Sequence, residues 1–186
     1  PSATQPPVTQ PSVDVEAPSE NPGLDNCEAG PTVYIDKDLK ANAGEEVTFQ
    51  IKVTDNKDGY SALITWLDID TRYFEIKSWK AGDPTMDEDE YFTSIQRNST
   101  SERRDVYDNK TTIVQLFKDE KNRNLKGDNV YATITLKVKD NTPDGTYVLH
   151  LDGKADGKVM ANRISAEDGK TIIALNPTYE SGSIIV

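Results

Sequence analysis

After residue 31 the hydrophobic positions recur at every second residue, and this period predicts β-strands. Residues 46–54, EVTFQIKVT, set Val47, Phe49, Ile51 and Val53 against Thr48, Gln50 and Lys52. Runs of the same kind stand at 32–36 (TVYID), 91–96, 112–118 (TIVQLFK), 130–138 (VYATITLKV), 146–152 (TYVLHLD) and 183–186 (SIIV), with a further candidate at 74–79. Turn chemistry separates them: Ala43-Gly44-Glu45, DNKDG at 55–59, and NTPDG at 141–145.

One stretch breaks the rule. In residues 59–76, GYSALITWLDIDTRYFEI, the positions Leu63, Leu67 and Ile69, with Thr65 between them, make one apolar face. The opposite face, Ala62, Ile64, Trp66 and Asp68, is expected to be polar in a half-buried strand and is mostly apolar instead. Such a strand is either enclosed in a core or shows an apolar face that a partner covers.

About nine short strands and no long amphipathic helix predict an all-β sandwich. A helical turn is expected within 164–175. Residues 83–90, DPTMDEDE, read as an acidic loop, and 98–110 as a long polar hairpin connection. The first 31 residues have no apolar period and hold much of the proline, mixed with Ser, Thr, Gln and Asn. They read as an extended linker, 1–31, ahead of a single domain, 32–186. The low mean hydropathy of -0.67 fits a chain with such a tail. A start at Pro1 without a leader suggests an excerpt of a longer polypeptide.

The formal charge of -11 disfavours nucleic acid and anionic membranes as partners. No apolar run is long enough to span a bilayer. A single cysteine, Cys27, allows no internal disulfide framework and reads as an incidental thiol in the linker. The only histidine, His150, lies within TYVLHLD with no nucleophile motif beside it, so a half-exposed strand residue is the expectation. Asp83, Asp87, Glu88, Asp89 and Glu90 lack the spacing of a calcium loop, and loops centred on Gly59 and Gly157 fail at their first or last ligand positions. No catalytic or metal site, and no cofactor, is expected in this chain.

The order of these motifs resembles the cohesin modules of bacterial scaffoldins. AGEEVTFQIKV (43–53), the ungapped run at 59–76 ending its strand at Asp70 with Phe74, Glu75 and Ile76 beyond, TIVQLFKDE, VYATITLKVKDNTPDGTYVL (130–149) and the closing SGSIIV all fit that family. Ile69 stands where an aromatic residue is usual and Thr71 where Pro is common, which sets the chain apart from the best-known type. The resemblance implies a nine-stranded jelly-roll β-sandwich. It also implies a noncatalytic, extracellular module whose third, fifth, sixth and eighth strands bind a dockerin that carries its own calcium, as part of a cellulosome.

Carried onto this sequence, the third strand presents Ala62, Ile64, Trp66 and Asp68, and the sixth Val114, Leu116 and Lys118 with Asp119 at its end. The fifth presents Phe92, Ser94 and Gln96, and the loop after the eighth Val159 and Met160. Ile64, Trp66, Val114 and Leu116 would form the apolar centre, with Asp68, Lys118 and Asp119 as a charged rim. The alternatives are that these side chains are core beneath a long loop, or that Trp66, Trp79 or Tyr91 stack on sugars in a carbohydrate-binding sandwich.

Overall fold

The strand with the cleanest alternation, β3 (Glu46–Thr54), buries Val47, Phe49, Ile51 and Val53 and turns Glu46 and Thr48 to solvent. The computed structural model describes residues 27–82, 93–98, 110–118, 123–153 and 161–186, the strands at 93–98 and 110–118 by their backbone pairing. Before β3 come β1 (Glu28–Tyr34) and β2 (Leu39–Lys40); after it come β4 (Ala62–Asp70), β5 (Phe74–Ala81), β6 (Thr93–Asn98) and β7 (Lys110–Lys118). Then follow β8 (Asn129–Val138), β9 (Thr146–Asp152), β10 (Ala161–Ile164), β11 (Ile172–Glu180) and β12 (Gly182–Ile185).

The strands form two layers. One runs β5-β8-β3-β1-β11, and the other places β6, β7, β4, β9, β12 and β2 side by side, while β10 pairs with both β4 and β11 and joins them. Pairing is antiparallel except between β1 and β11 and between β12 and β2. Between the layers lies one apolar cluster, in which Phe49, Ile51, Ile134 and Leu136 of the first meet Leu63, Leu67, Ile69, Leu149 and Leu151 of the second. Each such side chain contributes about 1.5–3 kcal/mol by leaving water. The all-β sandwich expected from the period-two pattern is the fold observed.

Three strands go beyond the nine expected: β2, β10 and β11. Residues 164–175 hold one helical turn, in which Gly169 N donates to Ser165 O at 3.0 Å, and it joins two strands. Pro177 lies in the middle of β11 and has no amide to give a ladder. The neighbouring strand yields to it: the β1 register jumps from Ala29↔Asn176 to Thr32↔Thr178. Gly30 and Pro31 together oppose Pro177 in that bulge, and a Cβ on Gly30 would lie 2.7 Å from Pro177 N. A second bulge, where Ile51 faces Ala132 but Lys52 faces Val130, leaves Tyr131 without an opposite residue. Tyr131 is consequently buried, and its hydroxyl crosses the sandwich to donate to Leu63 O at 2.5 Å.

The first strand starts at Glu28, inside the stretch read as linker, and is pinned there by Arg163, whose guanidinium lies 2.7 Å from the Glu28 carboxylate. Residues 1–26 of that linker, the acidic loop, Tyr91 and most of the connection at 98–110 lie outside the described residues.

Candidate functional site

Central position explains how β4 can be apolar on both faces. It pairs with β7 over its full length, Ala62↔Lys118 through Asp70↔Lys110. Its other edge is divided, with Ala62 and Leu63 facing β10 and Trp66 to Asp68 facing β9. Directly opposed residues share a face. The outward rungs are therefore Ser94–Leu116–Ile64, Gln96–Val114–Trp66–Asp152, Asn98–Thr112–Asp68–His150 and Lys118–Ala62–Asn162.

These rungs bring Ala62, Ile64, Trp66, Asp68, Ser94, Gln96, Val114, Leu116 and Lys118 to adjacent positions on one face. Phe92, Asp119, Val159 and Met160 lie outside the described residues. The inward residues Leu63, Leu67 and Ile69 are wholly buried, whereas Ala62, Ile64 and Trp66 are half-buried. The inner face belongs to the core; the outer one is less buried at Ala62, Ile64 and Trp66.

Asp68 departs from the rim role expected of it, for it is 0% exposed. It sits on a strand flanked on both sides, on the rung between Thr112 and His150, away from any sheet edge. Sequence reasoning also passed over β9. Tyr147, Leu149 and Leu151 point into the core, so Val148, His150 and Asp152 share the face of Trp66. Val148 is 40% exposed, and His150 Nε2 lies 3.8 Å from Asp152 Oδ2. The alternation in TYVLHLD carried this information. His150 is the half-exposed strand residue expected.

The outward face of the other layer is different in kind. Its rungs read Glu46–Lys137–Glu75, Thr48–Thr135–Ser78 and Gln50–Thr133–Lys80, and Thr48 and Thr135 share a hydrogen bond of 2.8 Å. Among the described residues no group of three or more His, Cys, Asp or Glu is placed to hold a metal ion. The two tryptophans do not form a row: Trp66 is on β4, and Trp79 is on β5 in the opposite layer, packed against the core.

Tyr179 of β11 reaches the candidate face from beneath. Its hydroxyl donates to Ile64 O at 2.8 Å, and burial, with the Asp152 carboxylate adding to it, pushes the phenol far above its ordinary pKa. The ring lies where a side chain on residue 153 would be, since a Cβ on Gly153 would stand 2.0 Å from it.

A family model described as Cohesin domain matches residues 31–173. Among solved structures, the seventh ScaB type I cohesin from Pseudobacteroides cellulosolvens aligns with a TM-score of 0.64 and 24% identity, over 86% of this chain and 93% of that one. The third ScaC cohesin of Acetivibrio cellulolyticus, solved in complex with the ScaB dockerin, aligns at 0.58 and 22% identity over 84% of this chain and 98% of that one. A non-cellulosomal cohesin from the archaeon Archaeoglobus fulgidus aligns at 0.54 and 16%, over 84% of this chain and 91% of that one. Identities this low establish a shared fold. No curated protein matches the chain.

Proposed function

The chain belongs to the cohesin family, and we propose that its β6-β7-β4-β9 face captures a dockerin, so that the domain acts as a noncatalytic assembly module of an extracellular bacterial scaffoldin. The observation that carries this reading is the division of β4. Leu63, Leu67 and Ile69 fill the core, while Ile64 and Trp66 sit half-buried on an outward face whose neighbouring rungs hold Val114 and Leu116. Aliphatic residues around one tryptophan suit the apolar side of a helix, with the indole as anchor. Asp152 opposite Trp66, and Lys118 opposite Ala62, give the surface charges that select among partners. The calcium requirement of the complex falls on the dockerin.

Titration against a panel of dockerins, with and without a chelator, tests this. One dockerin is expected to bind, and chelation to abolish the complex. Ile64→Asp or Trp66→Ala should weaken capture about a hundredfold or more, as hot-spot losses do, while the melting temperature moves by no more than about 3 °C. A large fall in melting temperature would return these side chains to the core. Retention on insoluble polysaccharide with no dockerin bound would move the function to sugar recognition.

A further inference from the structure

The divided edge of β4 falls at the residue on which the proposed docking face is centred. On the β7 side the ladder is continuous from Ala62 to Asp70. On the other side β10 pairs with Ala62 and Leu63 and β9 with Trp66, Leu67 and Asp68. Among the described residues, Ile64 and Thr65 have no strand partner on that side.

The Tyr179 hydroxyl lies at this gap, donating to Ile64 O at 2.8 Å from a strand of the opposite layer. Three features fix it there. The side chain is partly buried, and desolvation first and then the Asp152 carboxylate raise the phenol's pKa, so the hydroxyl is a donor at neutral pH. The absence of a side chain at Gly153, the last described residue after β9, leaves room for the ring. β11 is itself held by β1 and β10 on its two sides.

We propose that Tyr179 is a positioning residue for partner binding: its hydroxyl holds the Ile64 carbonyl, between the stretches of β4 that β10 and β9 pair with, so that Ile64 and Trp66 present one preformed surface. The inference rests on the dockerin-binding reading for its effect on affinity, but its effect on the strand is independent of any partner. A preformed surface loses less conformational entropy on binding, so removing the restraint lowers affinity without removing a contact.

The experiment compares the wild-type domain with Tyr179→Phe, which deletes one oxygen. In the wild type, the Tyr179 hydroxyl proton should appear in the NMR spectrum as a slowly exchanging resonance with a contact to Ile64 or Thr65. In Tyr179→Phe, the Ile64 carbonyl carbon should shift upfield and the Thr65 and Trp66 amides should exchange faster. Dockerin affinity should fall about fivefold to tenfold, the cost of ordering one freed side chain on binding, mainly through a faster off-rate. Ile64→Val, which touches the same face but spares the carbonyl, should leave the carbonyl shift in place.

Unchanged affinity in Tyr179→Phe with a dockerin that the wild type binds overturns the proposal, as does an unchanged Ile64 carbonyl shift. If the wild type binds no dockerin, the functional reading fails, and the carbonyl and exchange measurements still decide the role of Tyr179 in the strand. If Tyr179→Phe does not fold, the hydroxyl proton of the wild type decides it: rapid exchange overturns the proposal.

Discussion

Trp66 and Leu67 are neighbours in sequence and opposites in burial, and the contrast gives a direct test of which face is which. Leu67 is fully buried, and Leu67→Ala should cost about 2–5 kcal/mol in chemical denaturation, the usual range for a core leucine. Trp66→Ala should cost much less. Asp70, at the end of the same strand, is 4% exposed and receives both Arg72 Nη2 at 2.6 Å and Arg72 Nε at 3.0 Å. Arg72→Ala should therefore destabilise by about 1–3 kcal/mol, because it strips a buried carboxylate of charge-assisted bonds. At this scale the sequence disclosed the division of β4, since alternation alone assigns Leu63, Leu67 and Ile69 to one side. It did not disclose the burial of Asp68, since alternation places Asp68 on the same face as the half-buried Ile64 and Trp66.

The β10–β11 hairpin was the least legible element. Its second strand has the burial sequence exposed, half, half, buried, exposed, half, exposed, half, exposed. Asn176 and Pro177 in its middle disguise a strand that is recognisable only beside the bulge of β1. Its turn is closed by Asp168, whose carboxylate accepts from the Lys170 and Thr171 amides at 2.9 Å and from the Thr171 hydroxyl. The Thr171 hydroxyl above all, then these amides, bring the Asp168 pKa down to about 2 from an ordinary 3.8. A carboxyl so depressed stabilises the turn fully above the ordinary value and ceases to do so as pH falls through about 2. An NMR titration should place the Asp168 midpoint near the lower figure, and Thr171→Val should move it upward. A midpoint unchanged by that substitution would show that the hydroxyl does not set it.

For the molecule as a whole, the period-two runs predicted two apolar layers and the order of motifs predicted their arrangement. The first strand begins at Glu28, ahead of the apolar run, because Glu28 and Ala29 carry no apolar signal and are strand only through β11 and Arg163. A chain beginning at Pro31 should accordingly melt below one beginning at Cys27, and equal melting temperatures would show that these pairs contribute nothing. The parallel pairings of β1 with β11 and of β12 with β2 have a mechanical meaning. Tension applied at residues 27 and 186 pulls β1 and β12 along their own axes in opposite senses. The rungs to β11, β3, β9 and β2 are then loaded together in shear, whereas a hairpin pulled at its open end peels one rung at a time. A domain paired in this way is expected to stay folded under loads that would open a hairpin.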